Sequence, residues 1–322
     1  DLSEAKVTQT EKLNKDLPPT YPNGWIPVLE SRLIHFNQIL NINAFGYELV
    51  AIRGQSGRVS ILDAFCPHLG ANIGVGGKVV KECGEECIRC PFHGWTFRAS
   101  DGLCVKIPQL TKCEIPTARI KVWESIEVNN TVFVWYNSEG LQPNWFPIEI
   151  PVIHNNVWRY EGRTEHTVNC HFQEIPENGA DGQHIQELHT PAVMSGTVIN
   201  KSIFYNWLSK IVSHEWSSEW WPSPTVPHMA LMKLNVKNKF FGFTVLEIQF
   251  SIRQIGPAFV ELSYNTSALG GMDIIIWNNK KFIKNPILTK NERSLVRFRR
   301  WFNQFYSETD LKRTQEEDNN NY

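Results

Sequence analysis

Two short stretches, Cys66-Pro67-His68 and Cys90-Pro91-Phe92-His93, decide how this chain of 322 residues is interpreted. The first is a Cys-x-His pair, the second is a Cys-x-x-His pair, and 21 residues separate His68 from Cys90. A proline follows each cysteine, which favours a turn at both places. The sequence therefore predicts two turns that together present two thiolates and two imidazoles, a typical set of metal ligands.

This mixture of ligands is that of a Rieske [2Fe-2S] centre, in which two cysteine thiolates hold one iron and two histidines hold the other. Neutral imidazoles in place of two thiolates reduce the negative charge of the cluster and raise its reduction potential. Glycines follow both pairs and allow main-chain N–H groups to approach the sulfur atoms; they are Gly70, Gly74, Gly76, Gly77 and Gly94. We predict that Cys66, His68, Cys90 and His93 bind a cluster that transfers single electrons.

A structural zinc site is the alternative interpretation of the cysteines. Cys83, Cys87 and Cys90 are close in sequence, and Cys87 and Cys90 form a Cys-x-x-Cys pattern. Zinc would leave His68 and His93 without a role, whereas a Rieske centre uses both. We therefore interpret Cys83 and Cys87 as bystanders on the loop between the ligand pairs.

Length, charge and cysteine content narrow the class of protein. The length favours two domains. A composition of 42% hydrophobic and 20% charged residues with a net charge of −1 argues against nucleic acid as a partner. The seven cysteines follow no secreted disulfide pattern, which favours a reducing compartment. No apolar run reaches the length of about 18 residues that suggests a transmembrane helix, so any membrane association is expected to use a segment absent from this chain.

Turn signals and hydrophobic periodicity divide the chain into four parts. Residues 1–21 are polar and are predicted to be a mobile arm. Short strand-like runs alternate with turns over residues 22–138, which predicts an antiparallel β domain with the cluster on two loops. Residues 139–151, which contain three prolines, are predicted to be a linker, and residues 152–322 a second domain.

The second domain is predicted to be α+β, with a curved antiparallel sheet and a long C-terminal helix across it. A helical stretch is expected over residues 174–189. Strands are expected over 158–168 and around 195–206, 208–220, 226–236, 239–252 and 257–266. Two further helices are expected over 274–282 and 291–306, after capping residues Asp273 and Thr289. The last helix carries four arginines, Arg293, Arg297, Arg299 and Arg300. We interpret them as a solvated face, with a docking surface for an acidic electron donor as the alternative.

The predicted helix over 174–189 carries a second candidate metal site. Asp181 and His184 are three residues apart and share a helix face. His184 and His189 are five apart, roughly 140° around an ideal helix, so both reach one ion only if the helix is bent or bulged between them. Two histidines and a carboxylate form the facial triad of non-haem Fe(II) oxygenases. A solvated helix is the alternative, but a Rieske centre needs an acceptor for its electrons.

Together the motifs resemble the two signatures of the Rieske non-haem iron oxygenases, over residues from about Gly24 to about Tyr306. The segments 90–95, 101–104, 273–280 and 299–308 are most similar to the sterol group, the Neverland family of cholesterol 7-desaturases, and more distantly to bacterial 3-ketosteroid 9α-hydroxylases. The resemblance implies an N-terminal Rieske antiparallel β-sandwich and a C-terminal helix-grip (START-like) catalytic domain. It nominates Asp273 as the third iron ligand, with Glu292 and Glu308 in reserve. The loop over 83–87 departs from the family pattern.

The resemblance also implies an activity, an assembly and a location. The expected reaction is desaturation of cholesterol to 7-dehydrocholesterol with O2, in steroid hormone biosynthesis, using electrons from NAD(P)H delivered by a separate ferredoxin or reductase. The expected assembly is a homotrimer in which Asp181 passes electrons between subunits. The expected location is the endoplasmic reticulum membrane, with the catalytic part facing the cytosol. A steroid hydroxylase and a Rieske electron carrier are the alternatives, but a carrier would leave the second half of the chain unexplained.

Overall fold

The computed structural model describes residues 18–189, 212–264, 282–283, 286 and 292–309; for residues 186–189, 212 and 264 it describes the main chain only. The chain forms two compact units. The first unit comprises Gly24–Arg163. The second contains residues 18–23 together with the described residues from Thr164 onward.

Antiparallel strands in three sheets build the first unit. The first sheet has the order β1-β11-β10, with β1 (Gly24–Glu30), β10 (Ser125–Val128) and β11 (Thr131–Tyr136). The second has the order β2-β3-β4-β9, with β2 (Gln38–Ala44), β3 (Tyr47–Arg53), β4 (Val59–Asp63) and β9 (Val122–Trp123). The third follows the order β5-β6-β7-β8, with β5 (Lys78–Glu82), β6 (Glu85–Arg89), β7 (Thr96–Arg98) and β8 (Cys104–Lys106).

Local sequence explains the hairpin between β10 and β11. Asn129 and Asn130 form its two-residue turn with φ of 53° and 58°. Such turns require positive φ at both positions, and asparagine tolerates this conformation better than most residues. The turn sets the register in which Val128 pairs with Thr131.

The core of the first unit reaches the predicted cluster loops. Val50, Leu62, Ile88 and Phe97 are fully buried in it. Cys66 and Cys90 belong to the same buried group, and each is 3% exposed. The two cysteines are therefore anchored in the hydrophobic core, which fixes the base of the loops that carry the histidines.

Residues 139–151, predicted to be a linker, are hydrogen-bonded to the strands of the first unit. Trp25 Nε1 donates to the carbonyl of Trp145 at 2.6 Å. The Asn129 side chain donates to the carbonyl of Ile148 at 2.9 Å and accepts from the Ile150 amide at 2.7 Å. The compact units divide between residues 163 and 164. The domain limits given above stay predictions, and residues 1–17 of the predicted arm lie outside the described residues.

The strand predicted over residues 158–168 is not formed. A short helix, α1 (Pro151–His154), precedes this stretch, which continues without regular secondary structure. Val157 is 70% exposed and Trp158 is 52% exposed. The prediction is wrong because the apolar residues of this stretch do not share a buried face that would hold it in a sheet.

The described residues of the second unit form one four-stranded antiparallel sheet. Its order is β12-β13-β14-β15, with β12 (Val212–Pro222), β13 (Met229–Phe240), β14 (Phe243–Ile255) and β15 (Phe259–Tyr264). The corresponding predicted strands overlap these and differ by a few residues at their ends. The strand predicted around 195–206 lies outside the described residues, as does the helix predicted over 274–282 except for Phe282.

The described helices of the second unit are α2 (Glu174–Glu177), α3 (Gly182–His189) and α4 (Arg293–Phe302). Helix α4 packs on β12, since the Trp220 ring lies 5.6 Å from the Phe298 ring and 5.7 Å from the Trp301 ring. Phe298 and Phe302 are fully buried. The predicted α+β arrangement, with a sheet and a C-terminal helix packed on it, is confirmed. None of the helices in the described ranges combines the length and hydropathy needed to cross a membrane.

Candidate active site

The two predicted cluster turns have the same hydrogen-bond pattern. In the first, the Gly70 amide donates to the Cys66 carbonyl at 2.9 Å, and the Cys66 amide donates to the carbonyl five residues ahead at 2.9 Å. In the second, the Gly94 amide donates to the Cys90 carbonyl at 3.2 Å, and the Cys90 amide donates to the carbonyl five residues ahead at 2.8 Å. Gly70 and Gly94 both have φ of 72°, which favours glycine. Each turn therefore presents its cysteine in the same way.

The turns bring the four predicted cluster ligands together. The imidazole centroids of His68 and His93 lie 4.8 Å apart. The thiols of Cys66 and Cys90 are in contact, and burial, followed by this neighbouring thiol, raises the pKa of Cys66 to about 11. Burial thus opposes ionisation of the Cys66 thiol, whereas a bound metal ion deprotonates a thiol outright. The donor set therefore fits an iron–sulfur cluster.

The cysteine and histidine ligands face different surroundings. The cysteines are buried, whereas His68 and His93 are exposed. The Trp95 ring stacks on the His68 ring with centroids 4.5 Å apart and an angle of 10° between the planes, which orients that imidazole. A cluster held this way would have its sulfur ligands in the core and its imidazole edge at the surface, where electrons can enter and leave.

Among the described residues, no three His, Cys, Asp or Glu side chains converge as ligands of one ion. A Rieske centre requires two protein ligands for each iron. In the second unit, the side chain of His189 and the whole of Asp273 lie outside the described residues.

The helix predicted over residues 174–189 is interrupted at Asp181, and not between His184 and His189. The backbone leaves the helical conformation at Asp181, with φ of −91° and ψ of 87°. Helix α3 then runs without interruption from Gly182 to His189, so the bend expected between His184 and His189 is not found. The Asp181 carboxylate explains the position of the break, because it accepts hydrogen bonds from the amides of Gln183 and His184 at 3.1 and 3.2 Å and so starts a new helix.

The His184 ring is oriented by the main chain of Asp181. Its Nδ1 lies 2.5 Å from the Asp181 carbonyl oxygen. A carbonyl only accepts hydrogen bonds, so Nδ1 carries the proton and Nε2 of the neutral ring keeps a lone pair for a metal. The Asp181 carboxylate does not make this bond and caps helix α3. Transfer of electrons between subunits through Asp181 stays a prediction.

The two reserve ligands lie at different places in the second unit. Glu292 lines a polar cavity together with Asp181 and Arg293. Glu308 is exposed beyond the end of α4. Neither lines the cavity that His184 lines. The third iron ligand, Asp273 in the prediction, lies outside the described residues.

His184 lines a largely apolar cavity of about 290 Å³ in the second unit. The inner face of the sheet supplies one wall, where Trp220 pairs with Met232, and Met232 in turn pairs with Ile252. Indole groups apart, the polar side chains among the lining residues are those of Asn178, His184 and Gln254. A cavity of this composition suits an apolar ligand, which would lie next to His184, the one ionisable side chain among the described lining residues.

An ion pair between Arg299 and Glu177, which the sequence did not predict, joins helices α4 and α2. Arg299 Nε and Nη2 lie 2.9 and 2.8 Å from Oε1 of Glu177, and Arg299 Nη1 donates to the carbonyl of Ile283 at 2.7 Å. Glu177 is buried. Arg299 was interpreted as part of a solvated face, and that interpretation is wrong because the pair joins α4 to α2 across 122 residues of sequence.

Gln254 is a second residue of this region that the sequence analysis did not predict; it lines the cavity of His184. It follows Phe250 and Ile252 at intervals of two along β14, and this alternation is the signal that places it on the inner face of the sheet.

Two protein-family descriptions match the chain in succession. Residues 24–124 match the Rieske [2Fe-2S] domain. Residues 134–256 and 258–306 match the 3-ketosteroid 9alpha-hydroxylase C-terminal domain.

Curated relatives extend over most of the chain. A cholesterol 7-desaturase of Xenopus laevis is 37% identical over 94% of this chain and 76% of its own length. The cholesterol 7-desaturase of Caenorhabditis elegans is 37% identical over 92% of this chain and 79% of its own length. A probable 3-ketosteroid-9-alpha-monooxygenase oxygenase component of Rhodococcus rhodochrous is 27% identical over 90% of this chain and 81% of its own length.

A solved structure shows the same fold. Dicamba monooxygenase bound to dicamba superposes with a TM-score of 0.58 at 15% sequence identity, and the match covers 89% of this chain and 98% of that one. Both domain matches occur in order, and relatives at 37% identity are covered over 76% and 79% of their length. The chain therefore belongs to the Rieske non-haem iron oxygenases, in the cholesterol 7-desaturase group, and has the [2Fe-2S] cluster and mononuclear iron of that family.

Proposed function

We propose that this protein is a cholesterol 7-desaturase that converts cholesterol to 7-dehydrocholesterol. The observation that carries the proposal is the largely apolar cavity with His184 in its wall. A cavity of this kind suits a large neutral hydrocarbon, and its described lining residues include no Arg or Lys that would bind an acidic substrate. The identity to the two animal cholesterol 7-desaturases supports the same substrate.

The reaction removes one hydrogen from C7 and one from C8 of the sterol. These two hydrogens, with two electrons and two protons, reduce one O2 to two waters. The electrons come from NAD(P)H through a separate reductase or ferredoxin. In the proposed arrangement, Cys66, His68, Cys90 and His93 hold the cluster that receives them, and His184, His189 and Asp273 hold the mononuclear iron. This assignment requires helix α3 to bend between His184 and His189 when the iron is bound.

When bound, the iron supplies an oxidant that removes hydrogen from an unactivated C–H bond. The residues of the chain determine which bond is presented. Main-chain contact with Asp181 keeps the His184 ring in one tautomer and one orientation. Apolar side chains such as Trp216, Leu234 and Ile252 exclude water and hold the sterol rings.

Steroid hydroxylation is the second candidate function, favoured by the 27% identical monooxygenase component and by the match to the hydroxylase C-terminal domain. The two candidates differ in product. The reconstituted enzyme, supplied with reductase, NAD(P)H and O2, is expected to convert cholesterol to 7-dehydrocholesterol. Formation of a hydroxysterol, or consumption of a 3-ketosteroid while cholesterol is left unchanged, would show that the proposed substrate or reaction is wrong.

The proposal includes a homotrimer in which electrons pass from the cluster of one subunit to the iron of the next through Asp181. In support, Asp181 lines a polar cavity distinct from the one that His184 lines. Light scattering is expected to give three times the chain mass, and a monomer at working concentration would contradict this assembly. The proposed location is the endoplasmic reticulum membrane, reached through a segment outside this sequence, with the catalytic part in the cytosol. Cell fractionation of the full-length protein tests it.

A further inference from the structure

One buried amide stands out on the inner face of the sheet in the second unit. Gln254 is 5% exposed and lines the same cavity as His184. Its cross-strand neighbours are Ala230 and Val260, neither of which offers a polar side chain. An amide in an apolar cavity is unfavourable unless both of its ends are hydrogen-bonded. A ligand that fills the cavity would therefore supply a hydrogen-bond partner for Gln254.

The structure fixes which end of the amide is left for a ligand. Gln254 Nε2 donates to the carbonyl oxygen of Gly256 at 3.4 Å. Reversing the amide would place its oxygen against that carbonyl, where two acceptors would repel each other. Among the described residues no hydrogen bond to Oε1 is found. The cavity is therefore provided with a hydrogen-bond acceptor at Gln254 Oε1, and a ligand hydroxyl supplies the donor that matches it.

The position of Gln254 relates it to the proposed iron site. Helix α3, which carries His184, packs against β12. Gln254 is on β14, two strands away in the sheet, a lateral separation of about 10 Å from the usual strand spacing. Asn178, the other amide among the described lining residues, belongs to the short 3-10 helix that precedes α3 and therefore lies on the same side of the cavity as His184. A rigid ligand held at Gln254 by one end would thus extend across the cavity towards His184.

We propose that Gln254 Oε1 accepts a hydrogen bond from the hydroxyl group of the bound sterol and so selects a 3-hydroxysterol over the corresponding 3-ketone. The identity of the ligand rests on the proposed function. A hydroxyl donates to Oε1, whereas a ketone has only lone pairs to direct at another acceptor. Rejection of the ketone follows because the amide oxygen would lose its contact with water and gain no partner.

Binding to the oxidised holoenzyme tests this inference without turnover. The ligands are cholestanol and cholestanone, which differ only in the group on C3. The native protein is expected to bind the alcohol about tenfold more tightly than the ketone, as one buried hydrogen bond predicts. Gln254→Leu and Gln254→Met keep the size of the side chain. In these variants the affinity for the alcohol should fall about tenfold, and the affinity for the ketone should not fall.

Gln249→Leu is the matched control, because Gln249 is exposed on the opposite face of the same strand. It should leave the binding of both ligands unchanged. Iron content and melting temperature identify a variant that has not folded, and the Met variant then replaces the Leu variant. An unchanged ratio of alcohol to ketone affinity in folded Gln254 variants, or equal weakening of both ligands, would overturn the inference.

The binding assay separates this inference from the proposed function. If product analysis shows no desaturation but the alcohol preference is lost in the Gln254 variants, the assignment of Gln254 stands and the assigned reaction is wrong. If desaturation occurs and the preference is the same in all variants, the reaction stands and Gln254 does not read the hydroxyl.

Discussion

The Nδ1 atom of His184 lies 2.5 Å from the main-chain carbonyl oxygen of Asp181. The same residue uses its carboxylate to accept hydrogen bonds from the amides of Gln183 and His184. Asp181 therefore orients the proposed ligand with its main chain and starts helix α3 with its side chain. Substitutions that change only the carboxylate can separate a structural role from a role in electron transfer.

Asp181→Asn is expected to keep both metal sites and the fold, since asparagine caps a helix about as well as aspartate. Turnover should be lost if the negative carboxylate is needed to pass electrons between subunits. The measurements are iron content, melting temperature and the steady-state rate of product formation. Asp181→Ala is the control for the cap and should destabilise the protein by about 1 kcal/mol. Full turnover in the Asn variant would contradict the bridging role.

His68→Cys is expected to lower the reduction potential of the cluster. A charged thiolate would replace a neutral imidazole, and the added negative charge disfavours reduction. Protein-film voltammetry and the electron paramagnetic resonance spectrum of the reduced cluster report the change. If potential and spectrum both match those of the native protein, His68 is not a ligand.

The two glycines of the cluster turns should respond differently to alanine. Both have φ of 72°, so each substitution is expected to cost about 1 kcal/mol in backbone strain. A Cβ at Gly70 meets nothing within 4 Å, whereas a Cβ at Gly94 lies 2.9 Å from Pro108 Cγ and 3.0 Å from Arg89 Nη2. Gly94→Ala should therefore cost about 2 kcal/mol more. Denaturation with cluster absorbance as the signal checks the difference, and equal effects would refute the steric explanation.

Removing Arg299 should destabilise the second unit. Arg299→Met would leave the buried Glu177 carboxylate without the cation that lies 2.8 Å away, a loss of about 3 kcal/mol for an interior pair. The double variant Arg299→Met with Glu177→Gln should recover part of this loss, because it removes the uncompensated charge as well. Denaturant titration of the native protein, both single variants and the double variant gives the coupling. Additive losses would show that the ion pair does not stabilise the protein.

Sequence reasoning worked best where chemistry is encoded locally. The spacing of Cys66, His68, Cys90 and His93 was sufficient to predict a cluster site, and the structure brings the two histidines within 4.8 Å. The strands β12 to β15 of the second unit were predicted because their long runs alternate between apolar and polar residues with a clear period of two. Their ends were less certain, since strand ends depend on partners elsewhere in the chain.

Predictions from the sequence were wrong where the local structure depends on burial or on a contact with a residue distant in the chain. The stretch from Trp158 has a strand-like composition, but its exposed apolar residues have no buried face. The break at Asp181 depends on a capping bond that competes with a continuous helix. Arg299 and Glu177 are 122 residues apart, and nothing in the local sequence of α4 indicates a buried partner.

Product analysis with labelled substrate tests the proposed activity most directly. The reconstituted enzyme would be given cholesterol labelled with deuterium at C7 and C8, under ¹⁸O₂. We predict a sterol that has lost one deuterium from each carbon and has gained no ¹⁸O, as desaturation requires. A product that keeps the deuterium at C8 and has gained one ¹⁸O would be a hydroxysterol and would contradict the proposed function.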